Sequence, residues 1–252
     1  MGSLETRGFW TIDQKVLHIN ILELLAVEKA LHCFSHDDNS IRILFRVDNT
    51  TAIAYINRMG GCHQPELHCI ARRIWQFCES RRLYIFASYI PSKENYIADF
   101  QSRAEIDDSD WKLNPLLFSK ICKVFGQPEI DLFASSETKQ CTKFISWFPS
   151  PGAEGVDAFT ISWNFKLAYA FPPFCLIPRV LKKLRQSKCK CIVVVPLWPS
   201  QLWYPEFNRL RQSDLIQFDP CKNMLISPFV SSPHPLYKSL KLVAAVLSQN
   251  SL

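Results

Sequence analysis

The sequence predicts an α/β protein built as two domains, and three observations predict it. The chain has 252 residues, enough for two cores of ordinary size. Segments with helical spacing alternate with β-branched runs along most of that length. The character of the chain also changes at an acidic, polar stretch, "AEIDDSD", Ala104 to Asp110. The expected division is a first domain over 1–104, a linker over 105–110 and a second α/β domain over 111–252.

The elements follow in order. In "HINILELLAVEKALHCF", Ile21, Leu24, Leu25, Val27, Ala30, Leu31 and Phe34 recur every three or four residues, which predicts a helix from about Ile21 to Phe34 with Glu23 in its first turn. "SHDDNS" is turn chemistry, and "IRILFRVD" reads as a strand closed by Asp48. Asn49, Thr50 and Thr51 are helix-capping types, so a helix is expected over Ala52 to Met59, stopped by Gly60 and Gly61. "ELHCIARRIWQFCESRR" places Leu67, Ile70, Ile74 and Phe77 on one face of a further helix. "LYIFASYI" is a second strand, "PSKEN" a loop, and "YIADFQSR" a short helix entered through Asn95, with Asp99 near its start. Beyond Trp111, strand-like "EIDLFA", "LAYAF" and "CIVVVPLW" alternate with helix-like "LLFSKICKVF", "PRVLKKLRQSK" and "PEFNRLRQ".

Composition narrows the class. At 48% hydrophobic and 21% charged residues the chain is globular rather than disordered or collagen-like. No apolar run approaches the roughly 20 residues of a membrane-spanning helix, and "MGSLETRGFW" lacks a signal-peptide core. An intracellular protein, cytoplasmic or nuclear, with no membrane partner is the expectation. The ten cysteines, mostly among apolar neighbours, are expected to be reduced and buried. "CHQPELHC" matches no common zinc spacing. A net charge of +6 suits a polyanionic partner without requiring one.

Asp48 raises the sharpest chemical question. A carboxylate at the end of an apolar strand is costly to desolvate unless a positive group faces it. Glu23 and Asp99, each near a helix start, are candidates to share its position, because divalent-ion chemistry needs hard oxygen ligands brought in from several elements. Taken singly, each acid is also explained as a turn former or as a group favoured by a helix dipole.

Three separated motifs, "HINILELLAV", "RVDNTTAIAYINRMGG" and "YIPSKENYIADFQSR", resemble in order the ribonuclease H-like domain of DIRS-type, tyrosine-recombinase retrotransposon polyproteins, over most of residues 7–103. The resemblance implies that Glu23, Asp48 and Asp99 are catalytic ligands, three of the four acids holding two Mg²⁺ ions that cut RNA in an RNA–DNA hybrid. "IADFQSR" stands where that family usually has A-D-x-L-S-R. The family's first acid, an Asp on an upstream strand, has no counterpart here. That implies a truncated domain with impaired activity, whose strand ending in Asp48 would lack its neighbour. Asp13 is a poor substitute, since it lies in the connection to the first helix. Tyr89 and Ser92 stand where relatives often carry His and Gly. Nucleic-acid contacts are expected from Asn49, Arg72, Arg73, Lys93 and Asn95, with Arg81 and Arg82 extending a basic face. The implied partners are an RNA–DNA hybrid or DNA, and the remainder of the reverse transcriptase polyprotein.

The second half resembles the methyltransferase-like region that follows in such polyproteins. "YAFPPF", Tyr169 to Phe174, stands like the D/N-P-P-Y/F/W loop of DNA adenine N6-methyltransferases. By that resemblance Asp131 and Phe174 are the cofactor-site and base-stacking candidates, and Asp131 also reads as a turn-capping residue. Phe171, however, offers no acceptor where the family has Asp or Asn, and "DLFAS" lacks a glycine-rich turn, so S-adenosylmethionine is not expected to bind. An adenine methyltransferase-like enzyme and a non-catalytic nucleic-acid-binding module are the alternatives to the nuclease fragment.

Overall fold

The computed structural model describes residues 5–35, 38–61, 64–91, 93–102 and 111–249. The chain is α/β and divides into two compact units, Met1–Glu105 with Pro149–Pro151, and Ile106–Phe148 with Gly152–Leu252. The expected linker, 105–110, lies outside the described residues, as do Ser92, Cys62 and His63.

The first unit begins with α1, Ile19–Phe34, capped by His18, whose ring accepts from the Asn20 N–H at 3.1 Å. The helix starts two residues earlier than its apolar spacing suggests, because a capping side chain rather than the first apolar residue sets the start. Glu23 therefore lies in the second turn, not the first. Strand β1, Arg42–Val47, leads through Asp48 into α2, Thr50–Asn57. Asn49 is the N-cap, its side chain accepting from the Ala52 N–H at 2.9 Å. The chain leaves α2 through Gly60 at φ +124°, where a Cβ would come within 2.7 Å of His68 Nδ1, so only glycine fits the turn. Helix α3, Pro65–Arg81, then crosses back to β2, Tyr84–Tyr89, and α4, Tyr96–Ser102, follows. The buried face of α3 is Leu67, Ile70, Ala71, Ile74 and Cys78. Phe77 sits at its flank under the Arg81 guanidinium, 4.9 Å from the ring.

Strands β1 and β2 are parallel and paired from Arg42↔Tyr84 to Val47↔Tyr89. Alternation along each strand divides their side chains between two faces. Ile43, Phe45, Val47, Ile85 and Ala87 join Leu24, Val27, Leu31, Ile56, Leu67, Ile70 and Ile74 of the helices in one core. On the other face Leu44, Tyr84 and Phe86 are exposed. Two strands alone form a marginal sheet, and one side chain compensates at the outer edge of β2. The Asn57 amide accepts from the Ala87 N–H and donates to the Ala87 C=O, both at 2.8 Å, as a further strand would.

The second unit contains β3, Lys112–Leu113; α5, Pro115–Phe125; β4, Ile130–Asp131; β5, Lys143–Ser146; β6, Gly155–Val156; β7, Ala168–Ala170; α6, Ile177–Arg185; β8, Cys191–Pro196; α7, Tyr204–Leu210; β9, Ile216–Phe218; β10, Leu225–Ile226; and β11, Leu242–Leu247. Seven strands make one sheet in the order β6-β5-β4-β7-β8-β11-β9. Strands β4 to β8 are mutually parallel, and β11 runs antiparallel between β8 and β9. Cys191, Val193 and Val195 of β8 face one apolar cluster with Val180 and Phe207, while Ile192 and Val194 face another with Phe118 and Leu240. A strand buried on both faces must be apolar throughout, which is why "CIVVVP" shows no alternation. Among the described cysteines, Cys78, Cys141, Cys189 and Cys191 are buried, whereas Cys69, Cys175 and Cys221 are exposed, which corrects the expectation of uniformly buried thiols.

The Asn57 bridge supplies the first prediction. Asn57→Ala leaves two backbone groups of β2 without their partner and should lower stability by about 1–3 kcal/mol. Denaturant unfolding checks this, and an unchanged midpoint would show that the bridge carries no weight.

Candidate functional site

Because β1 and β2 are parallel, their carboxyl ends share one rim. Asp48 follows Val47 directly, and the Ile90 N–H donates to the Val47 C=O at 3.0 Å, so the chain leaving β2 stays beside it. The start of α1 is tied to the same rim by the second half of the Asn49 amide, whose Nδ2 donates to Asn20 Oδ1 at 2.9 Å. One turn beyond Asn20 lies Glu23. Its carboxyl pKa is raised, first by burial and second by the negative charge of Asp48. Two of the three expected acids thus converge, half-buried, at one strand end.

Asp99 sits in the first turn of α4, which enters from the same end of the sheet through the Pro91–Asn95 loop. Its N–H donates to the Asn95 C=O at 3.0 Å, which makes Asn95 the backbone start of that helix. Its side chain is exposed, and among the described residues no group of three or more His, Cys, Asp and Glu side chains is close enough to hold a metal ion. The structure brings together Glu23 and Asp48, while the side chain of Asp99 is exposed on α4.

The expected nucleic-acid contacts are distributed unevenly. Arg72 and Lys93 are exposed. Arg73 makes two 2.7 Å bonds from Nε and Nη2 to the Glu28 carboxylate, fastening α3 to α1. Asn49 caps α2 and positions Asn20, so both ends of its amide are engaged within the fold. Asn20 itself escaped sequence reasoning. Its signal was present, since it precedes Glu23 by three residues on one helical face.

In the second unit the chain winds from β4 outward through β5 to β6, and then from β7 through β8 the other way. The change of direction lies between β4 and β7, where open α/β sheets take ligands at the strand ends. Asp131 closes β4 there, but it is 2% exposed. Its two oxygens accept from the Phe133 N–H at 3.2 Å and the Gln140 N–H at 3.0 Å, which closes the following loop upon itself. Burial pushes its carboxyl up to about 6, and the two backbone donors only partly oppose this. Next to it in the sheet, the Tyr169 hydroxyl is buried without a hydrogen-bond partner among the described residues. Phe174 packs edge-on against Trp198 at 5.4 Å and near Phe171 at 6.3 Å. It belongs to an aromatic cluster at the ends of β7 and β8. The loop after β4 is filled by its own polar groups, Ser135 N–H donating to Thr138 Oγ1 at 2.8 Å.

Compared with known proteins, the chain matches no family model and no curated relative. No described helix is long and apolar enough to cross a membrane.

Two predictions follow from the charges. Glu23→Gln removes one of two adjacent half-buried carboxylates. With divalent ions chelated at pH 7, the variant should be more stable than the parent by about 0.5 kcal/mol after solvent screening, about 2–4 °C in Tm. A raised carboxyl pKa means that the folded state holds its proton longer, so this advantage should shrink as the pH falls and the parent carboxyl becomes neutral. Thermal melts across pH would detect it, and a variant less stable than the parent would contradict it. For Asp131 the folded value of about 6 exceeds the ordinary 3.8. Its contribution to stability should therefore fall as pH rises from 4 to 6, by on the order of 2–3 kcal/mol. Asp131→Asn should lose that slope in denaturant unfolding, and a variant with the parent's slope would place the titration elsewhere.

Proposed function

We propose that the first unit is a ribonuclease H-like domain of the DIRS-type retrotransposon kind, a piece of a reverse transcriptase polyprotein, and that it binds RNA–DNA hybrid or DNA with little capacity to cut it. The observation that supports this reading is the Glu23–Asp48 pair at the carboxyl end of β1, next to a parallel strand. Burial, and after it the nearby charge of Asp48, makes the ionised Glu23 carboxylate costly, and a divalent cation at this pair would relieve that cost. The donors are hard oxygens, so the ion they suit is Mg²⁺ or Mn²⁺. When bound, such an ion lowers the pKa of a coordinated water and steadies charge on a phosphodiester. Glu23 and Asp48 would hold it, with Asn49 and Asn20 fixing their approach. A pair of acids suits one ion, whereas hybrid cleavage of this type uses two. Asp99, exposed in the first turn of α4 rather than half-buried like the other two acids, is the reason to expect binding to outlast turnover.

For the second unit we infer a methyltransferase-like fold without methyl transfer. Support comes from the doubly wound strand order and from Asp131, whose oxygens are both used within their own loop. The non-catalytic binding module remains the second reading of the whole chain, favoured by the same exposed position of Asp99.

A labelled RNA–DNA hybrid tests the first reading. The chain should bind it more weakly as salt rises, Mn²⁺ should raise the Tm of the parent but not of Asp48→Asn, and cleavage should stay near background. A chain that neither binds hybrid nor responds to Mn²⁺ would overturn the proposal. Rapid cleavage unaffected by Asp48→Asn would refute the assigned site.

A further inference from the structure

The face of β1–β2 turned away from the helices carries a pattern that the metal pair does not use. Its paired positions are Arg42 with Tyr84, Leu44 with Phe86, and Arg46 with Ser88. Tyr84 is 67% exposed, Phe86 58% and Leu44 59%, values far above those of ordinary sheet residues over a core. A parallel sheet normally has both faces covered. Here one face offers two aromatic rings on β2 and two guanidinium groups on β1, with a leucine between the arginines.

We propose that this face is a binding platform for single-stranded nucleic acid, with Tyr84 and Phe86 stacking on bases and Arg42 and Arg46 meeting phosphates. The two rings are alternate residues of one strand, about 6.6 Å apart along it, so each can take its own base. Stacking is indifferent to sequence and needs ring faces that water can reach, which these have. Charge complementarity points the same way. The only acid ion-paired to either arginine among the described residues is Glu94, 3.7 Å from Arg46. Both partners of that pair are more than half exposed. Such a pair is worth little and yields readily to a phosphate.

The paired strands present a strip about 20 Å long and about 10 Å across, which a strand of a few nucleotides can follow. The platform is separate from the Glu23–Asp48 rim and does not depend on the nuclease reading.

Fluorescence anisotropy with labelled 12-mers of single-stranded DNA and RNA, alongside duplex and hybrid controls, tests this on the full chain without divalent ions. Both single strands should bind more tightly than duplex, and the DNA and RNA arms show whether the 2′-hydroxyl matters. Tyr84→Ala and Phe86→Ala should each weaken single-strand binding about tenfold. Arg42→Gln with Arg46→Gln should make the slope of log affinity against log salt shallower by about 1.4. These side chains point away from the core, so circular dichroism and Tm should match the parent. Unchanged affinity in well-folded Phe86→Ala would overturn the proposal. So would sedimentation showing a dimer of the parent that Phe86→Ala dissolves, since the face would then serve a second copy.

Discussion

Parallel pairing of β1 with β2 is the constraint from which the first unit's chemistry follows. In a parallel pair both strands finish at the same rim, so the residues just beyond them are neighbours without further device. Asp48 is placed there by sequence position alone, as the residue after Val47. Glu23 is brought there by the Asn49–Asn20 bond, which sets where α1 stands against the start of α2. The cost is electrostatic: Glu23 is half-buried and feels the negative charge of Asp48, and its carboxyl pKa is raised by both.

The two units handle sheet faces in opposite ways. In the second, β8 and β11 lie between two apolar clusters, and every residue of β8 is buried. In the first, a single layer of helices covers one face, Asn57 substitutes for a neighbour along one edge, and the other face shows aromatics and arginines to solvent. Hydrophobic burial explains the inward set, Ile43, Phe45, Val47, Ile85 and Ala87. It does not explain Tyr84 and Phe86, which are more than half exposed.

Much of this was legible in the sequence because periodicity reports burial directly. The spacing of Leu24, Val27 and Leu31, the run that ends at Val47 and the capping chemistry of Asn49 each mark an element that the fold contains. Less legible was anything that depends on side-chain amides reaching across the fold. Asn57 on Ala87 and Asn20 on Asn49 join residues about 30 positions apart, and no local pattern announces them. Short strands also escaped. Strands β3, β6 and β10 have two residues each, too few for alternation to register, and β11 reads as "LVAAVL", which fits a helix as well as a strand. Asp131 carried two readings in the sequence, a cofactor contact by resemblance and a turn cap, and its two oxygens are both used within its own loop, as a cap's would be.

The central claim is that Glu23 and Asp48 together form a seat for a hard divalent cation. Paramagnetic broadening of backbone amide signals by trace Mn²⁺ tests it residue by residue. The account predicts that broadening is centred on residues 20–24 and 47–50, fades along α1 and β1, and is displaced by excess Mg²⁺. Broadening centred elsewhere, or none at these amides, would contradict it.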